Sequence, residues 1–275
     1  MDGYNMYACL METFFHTSFL CDKLMSKNMH WVVRNVRGLD FYEINDIHDK
    51  LCRVKLLTES DLLALSKAYK GLSEPEIYLA RHYGVPERHA LAAPDRIELT
   101  DFSDESLERV QEGIGGNDVS GAVIFLDALL SDKWLDFFHH KVVNAHSAVL
   151  PYARGMYAIE QLAICGDVDK MQEAAGATIH YVDSGIDTGK IIHTERLCRL
   201  WEMESIWAVK GESYLLAFDL LKKYLDSEKK FSQRDTVFSP TVHKSPLFLS
   251  RTFTEERKNL SEKSFLLMKE VITHA

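Results

Sequence analysis

The chain has 275 residues, 46% of them hydrophobic, enough to bury a substantial core as one domain or as one domain with an appendage. Its 41 acidic and 32 basic residues give a formal charge of -9, which disfavours a broad nucleic-acid surface. No run of about 18 apolar residues marks a membrane span, and the N-terminus has neither a Lys/Arg-led region nor a convincing cleavage site. The five cysteines, Cys9, Cys21, Cys52, Cys165 and Cys198, are odd in number and form no CxxC pair. They read as mostly buried thiols in a reducing compartment, so the expected location is cytoplasmic.

In chain order, the apolar positions Met6, Leu10, Phe14 and Phe19 predict a helix within the first 28 residues. Met29 to Val33 is a strand candidate, and the polar tract after it carries no sharp signal. Ser73, Glu74 and Pro75 start a helix over EIYLARHY, which Gly84 stops. Gly115 and Gly116 mark a turn and lack a phosphate-cradling pattern. GAVIFL, residues 121–126, reads as a buried strand; Ser131 caps the short DKWLDFF helix, in which Trp134, Phe137 and Phe138 are core candidates.

KVVN is a further strand, MYAIEQLAIC a helix ended by Gly166, and TIHYV another strand. SIWAVKGESYLLAFDLLKKYL has a wide apolar helical face that Gly211 threatens to interrupt. Lys229 to Pro246 is a turn-rich connection, and Thr254 caps a last helix containing Leu260, Phe265, Leu266 and Met268. Strands alternating with helices in the central portion predict an α/β fold, whose active loops lie beyond the carboxyl ends of parallel strands.

Two clusters carry the chemistry. The first is Asn144 and His146 in VVNAHSAVLPYARG. At i and i+2 on a strand they project to one side, pairing an amide donor with an imidazole, which suits a carbonyl whose oxygen gains negative charge under attack. The bland alternative is a loop-satisfying Asn and a structural His. The second is GATIHYVDSGIDTGKII, where Asp183 or Asp187 sits in a glycine-rich excursion between two strands and could orient an imidazole. Its rival is an ordinary Asp/Gly hairpin.

Arg154, in the loop after His146, is a substrate-contact candidate, with a protein carboxylate as the competing partner. His139 and His140 would point apart on a strand, and with His146, His180 and His193 they show no metal-ligand spacing. No cysteine has a neighbourhood that explains activation. Trp201 and Trp207 carry no strong ligand signal.

Together these segments resemble the folate-dependent formyltransferase family, which acts on glycinamide ribonucleotide, methionyl-tRNA, amino sugars and hydroxyornithine. The family pattern of Asn-x-His, a Leu-Pro loop and Gly, then Gly-x-Thr-x-His-x-Val-Asp and Asp-x-Gly, stands here as NAHSAVLPYARG and GATIHYVDSGIDTG. The resemblance covers about Gly121 to Ile192 and extends plausibly to Leu225. It implies a Rossmann-like, mostly parallel sheet with flanking helices, with a catalytic domain over 1–225, an altered opening segment, and a C-terminal extension over 226–275 packed on it.

It also implies catalytic roles for Asn144, His146 and Asp187, and a pterin site lined by Leu126, Asp127, Ala128, Leu129 and Leu130 and by Asp183, Ser184, Gly185 and Ile186. The co-substrate implied is N10-formyltetrahydrofolate, with no metal. The acceptor is a small-molecule amine, with N5-hydroxyornithine of siderophore production the leading example and an amino sugar the alternative; neither nucleic acid nor membrane is an expected partner, and the protein is a monomer or homodimer. Asn144 and a protonated His146 would stabilise the developing oxyanion while Asp187 holds the imidazole. A formyltetrahydrofolate hydrolase and a non-catalytic folate-binding protein are the other readings. Two departures stand out: Ser147 replaces the usual Pro after the histidine, predicting a looser loop, and the opening strand and its glycine-rich turn are not evident.

Overall fold

The computed structural model describes residues 6–87, 93, 96–115, 119–227 and 244–274. It divides into two compact units, Met1–Asn144 and Ala145–Ala275. The fold is α/β, with a mostly parallel sheet flanked by helices, as the alternation of elements predicts.

The first unit opens on a strand. β1 (Met6–Glu12) is followed after two residues by α1 (Phe15–Leu24), which corrects the expected N-terminal helix in its first half. β1 lies between β2 (Met29–Arg34) and β4 (Val119–Phe125) and runs parallel to both. With both faces covered, its residues from Tyr7 to Met11 are all buried, so the period-2 signal of a strand vanishes into a continuous apolar run. β3 (Ile97–Leu99) pairs outside β2, and β5 (Val142–His146) pairs with β4 through Val142, Val143 and Asn144, again parallel.

The tract without a sequence signal holds α2 (Phe41–Leu51) and α3 (Glu59–Ala68). Asp40 caps the former by accepting from the Tyr42 N–H at 2.8 Å, and Thr58 with Asp61 forms a capping box on the latter. α4 (Glu74–Tyr83) begins after Ser73 and stops at Gly84, as expected. Gly115, at φ +67°, ends α5 (Asp104–Ile114); Gly116 lies outside the described residues. In α6 (Asp132–Phe137), Trp134 is fully buried, as is Phe138 just beyond, whereas Phe137 is only half-buried. His139 and His140 follow in a left-handed turn, not on a strand.

The second unit takes the last two residues of β5 and continues through β6 (Arg154–Gly155), α7 (Ala158–Ala163) and α8 (Val168–Ala174). β7 (Gly176–Tyr181) and β8 (Ile191–Arg196) form an antiparallel pair, and α9 (Ile206–Asp226) runs unbroken through Gly211. Of the expected connection from Lys229 to Pro246, residues 229–243 lie outside the described residues. Beyond it, β9 (Leu247–Phe248) pairs with β6, and α10 (Glu255–Thr273) starts at its Thr254 cap. Phe265 and Met268 of α10 join the core of this unit with Ile159 and Leu162 of α7 and Val209 of α9. Leu260 and Leu266, from the same predicted helix, face out. Trp201 stacks on Phe265 with centroids 5.8 Å apart.

Cys9 and Cys21 are buried, Cys52 is half-buried, and Cys165 and Cys198 are exposed, so the cysteines are less uniformly interior than their spacing suggested. Among the described residues no helix is long and apolar enough to cross a membrane.

Candidate active site

β5 runs through His146, so Asn144 and His146 stand at i and i+2 near the carboxyl end of a parallel strand. Asn144 is half-buried and His146 is 8% exposed. The chain then leaves the strand through a loop pinned from β7: Thr178 Oγ1 donates to the Ala148 carbonyl at 2.8 Å and accepts from the Leu150 N–H at 2.9 Å. Ser147, at the position of the family's proline, accepts a hydrogen bond from Lys210 Nζ at 2.8 Å. That hydrogen bond tethers the residue where the loop leaves the strand.

Asp187 lies at a left-handed φ of +52°, a conformation uncommon outside glycine but one in which Asp is enriched. Glycines make the surrounding excursion possible: a Cβ at Gly189 would collide with the Tyr181 carbonyl. Asp187 Oδ2 accepts from the Gly155 N–H at 2.7 Å, while Oδ1 is 3.7 Å from His146 Nδ1 and 3.5 Å from His180 Nε2. Gly155 is itself set by β9, since any Cβ there would strike the Phe248 carbonyl, and the Met156 N–H donates to that carbonyl at 2.9 Å. Burial opposes the charged carboxylate, yet His146, His180 and the Gly155 amide outweigh it and hold Asp187 well below the usual carboxylate range.

The surroundings of His146 work largely against an imidazolium. Burial lowers its pKa below the ordinary 6.5, and the positive charge of Lys210 and the nearby His180 add to this; Asp187 and the Ala153 carbonyl pull it back only in part. The balance favours the unprotonated ring over the imidazolium that the resemblance implied. Its Nε2 is 3.1 Å from the Ala153 carbonyl, which can only accept, so Nε2 carries the hydrogen. Nδ1 then holds the lone pair and faces Asp187 beyond hydrogen-bond distance. A proton taken up at Nδ1 would find the carboxylate waiting.

The other expected residues lie in loops. Leu126 to Leu130 follow the carboxyl end of β4: Leu126 and Ala128 are half-buried, Leu129 is 63% exposed and Leu130 is buried. Asp127 pairs with Arg34, and its N–H donates to Glu12 Oε2 at 3.3 Å. In the second loop Asp183 Oδ1 accepts from the Gly185 N–H at 3.0 Å; Asp183 and Ser184 are exposed, and Gly185 and Ile186 half-buried. Arg154 sits on β6 with its Nε buried and lacking a hydrogen-bond partner among the described residues. Among the described residues no group of three His, Cys, Asp or Glu could hold a metal ion.

His180 at Asp187 went unassigned in the sequence, although it stands in the quoted Gly-x-Thr-x-His segment two residues after Thr178, on the same side of β7. Lys210 had no local signal, because its partners are 63 and 50 positions away in the chain (210 less 147, and 210 less 160).

Residues 116–209 match a family model described as formyl transferase. A methionyl-tRNA formyltransferase from Finegoldia magna is 26% identical over 129 residues, 45% of this chain and 40% of the relative, so the chain matches less than half the length of that protein. Among solved structures, a sugar N-formyltransferase from Shewanella sp. superposes with a TM-score of 0.53 at 14% identity, covering 95% of this chain and 88% of that one. An N-formyltransferase from Helicobacter canadensis, in complex with folinic acid and dTDP-3-aminofucose, gives 0.54 at 12% identity over 94% and 80%. At these identities the likeness is one of fold.

Proposed function

We propose that this chain is a folate-dependent formyltransferase, a reading supported by the family match over residues 116–209, and that it moves a formyl group from N10-formyltetrahydrofolate to a primary amine or hydroxylamine nitrogen of a small molecule. The observation that carries this reading is the buried Asp187 carboxylate, hydrogen-bonded by the Gly155 amide and 3.7 Å from an imidazole on the strand that bears Asn144. The apolar loop from Leu126 to Leu130, with Leu129 63% exposed, suits a flat heteroaromatic ring at the carboxyl end of β4.

The donor supplies an activated formyl carbon whose oxygen gains negative charge as the amine adds. Asn144 donates its amide N–H to that oxygen. His146, unprotonated at rest, accepts the proton that the attacking nitrogen must lose and holds it at Nδ1 against Asp187, directly or through one water; as the adduct collapses the bond between the formyl carbon and N10 breaks, the carbonyl re-forms on the acceptor nitrogen, and the proton passes to N10 as tetrahydrofolate leaves. Asp187, kept ionised, orients the ring and stabilises the imidazolium that forms. Arg154, whose Nε lacks a partner among the described residues, is the acceptor-contact residue.

For the acceptor, the near full-length likeness to a sugar N-formyltransferase and to an enzyme complexed with dTDP-3-aminofucose supports a nucleotide-linked amino sugar ahead of N5-hydroxyornithine. The test is a panel of both acceptor types with formyltetrahydrofolate, read by mass for a formyl-sized gain and by formate release. A formylated product on any amine supports transfer, and formate without product selects hydrolysis. Donor binding with neither product would leave only a folate-binding role. The neutral resting His146 further predicts that the acid limb of transfer has its midpoint below pH 6.5; a midpoint above it would remove His146 as the base.

A further inference from the structure

The second unit buries a charge cluster that the proposed transfer does not use. Lys210, in the second turn of α9, is 5% exposed; its ammonium donates to Ser147 Oγ at 2.8 Å and lies 3.5 Å from Glu160 Oε2. Glu160, on α7, is 1% exposed, and its Oε2 lacks a hydrogen bond; its backbone carbonyl accepts from Ser261 Oγ of α10 at 2.7 Å. The Lys210 ammonium also stands 5.1 Å from the ring centroid of Tyr214, one turn further along α9. A buried ion pair of this kind is a poor source of stability, because desolvating two charges consumes most of their attraction and apolar residues of equal volume would pack as well. Its position suggests a different use.

Ser147 is the residue after His146, and the ammonium that bonds it acts on the imidazole as a like charge. The groups that set the charge on that ring are few: Asp187 and the Ala153 carbonyl favour a proton on it, while burial, Lys210 and His180 oppose one. Glu160 faces the Lys210 charge at 3.5 Å without a hydrogen bond to complete the pair.

We propose that Lys210 is a positioning residue for His146: tethered to Ser147, it fixes the strand-to-loop turn behind the imidazole and supplies the positive charge that keeps the resting ring free to accept a proton. This rests on the reading of His146 as the base of formyl transfer. The same arrangement explains why this chain tolerates a serine where the family has proline. Rigidity that a pyrrolidine ring would provide through the backbone comes instead from a buried side-chain hydrogen bond.

The test uses the full chain and two readouts, an NMR titration of the His146 imidazole and the pH profile of transfer to the best amine. In Lys210→Met the titration midpoint should rise by about one pH unit, the scale expected on losing a nearby like charge, and the acid limb of transfer should move with it. Lys210→Arg, which keeps the charge, should restore the wild-type midpoint. Ser147→Ala keeps the charge and removes the tether, so kcat should fall with the midpoint unmoved. If Lys210→Met does not fold, Lys210→Gln, which keeps a donor for Ser147 without the charge, provides the titration. An unchanged midpoint in whichever of these two neutral variants folds would overturn the electrostatic role, as would an equal shift in Lys210→Arg; an unchanged kcat in Ser147→Ala would overturn the tether. The NMR titration needs no turnover, so absence of transfer to every amine would count against the proposed function while the midpoint shift still judges Lys210.

Discussion

The two units bury charge in different ways. In the first, every oxygen of the buried carboxylates that is described has a close partner. Glu76 accepts from the His16 N–H at 3.3 Å, meets His16 Nδ1 at 3.0 Å, and accepts from the Ser73 N–H and Oγ at 2.9 Å each. Glu12 pairs with Arg34 and accepts from Asp127. His48 has both ring nitrogens engaged, by the Pro86 carbonyl at 2.8 Å and the Tyr69 hydroxyl at 2.7 Å. In the second unit the contacts are left long: Asp187 stops 3.7 Å from His146, and Glu160 Oε2 has no hydrogen bond. Closed pairs fix a fold, whereas a pair held just short of its hydrogen bond retains something to gain when a proton arrives.

Glu76→Ala is the strongest way to break that comparison. It strips the acceptor from four donors or ring contacts at the start of α1 and α4, and removing one partner of a buried pair costs about 3–5 kcal/mol. Chemical denaturation should show that loss, while the protein that remains folded keeps its transfer rate. An equally large fall in kcat per folded molecule would mean that the closed pair also serves the chemistry.

Asn144→Ala should have the converse signature. Loss of one oxyanion donor costs roughly 2.7–4 kcal/mol of transition-state stabilisation, about 10²–10³ in kcat, with little change in the unfolding midpoint because Asn144 is only half-buried. Transfer within a factor of about two of the wild type, measured at saturating donor, would remove Asn144 from the oxyanion role.

Acid titration sharpens the contrast from the other side. Burial opposes the Glu76 carboxylate, but His16 and Ser73 outweigh it and hold it at about 2, against an ordinary 4.5. Since the folded value is depressed, its stabilisation is fully present above the unfolded value and is lost as pH falls from 4.5 through about 2. The gap is on the order of 3 kcal/mol. His48 is lowered by burial from 6.5 to about 4, so its contribution goes earlier, as pH falls through that higher window. Thermal melts from pH 7 downward should therefore lose stability in two stages, and Glu76→Gln should flatten the lower one only.

How far these features could be read from the sequence depends on whether their cause is local. α4 was legible because Ser73, Glu74, Pro75 and Gly84 punctuate it, and the Asn144, His146 and Asp187 positions were legible because two short motifs carry them. α2 and α3 had usable signals as well, the Asp40 cap, the Thr58/Asp61 box and apolar positions at helical spacing such as Phe41, Ile44, Ile47 and Leu51, but the many charged and polar residues between them masked the period. β1 failed for the opposite reason: burial on both faces makes a strand and a core helix look alike over seven residues. His180 was inside a quoted motif and lacked only a role. Lys210 and Glu160 could not be found at all, since their pairing depends on the packing of α9 against α7 and leaves no spacing in the chain.

The smallest effect tests whether that packing matters to the open pair. Thr254 Oγ1 accepts from the Arg257 N–H at 3.4 Å at the start of α10, and removing such a cap costs about 1 kcal/mol. α10 contributes Phe265 and Met268 to the second unit's core and, through Ser261, holds the carbonyl of Glu160. Thr254→Ala should thus lower the stability of this unit by about that amount, read by hydrogen exchange of α10 and α7, and leave the His146 titration where it was, because neither Lys210 nor Asp187 loses a partner. A shift in that titration would show that the charge cluster is poised by the whole helical layer and not by its own contacts.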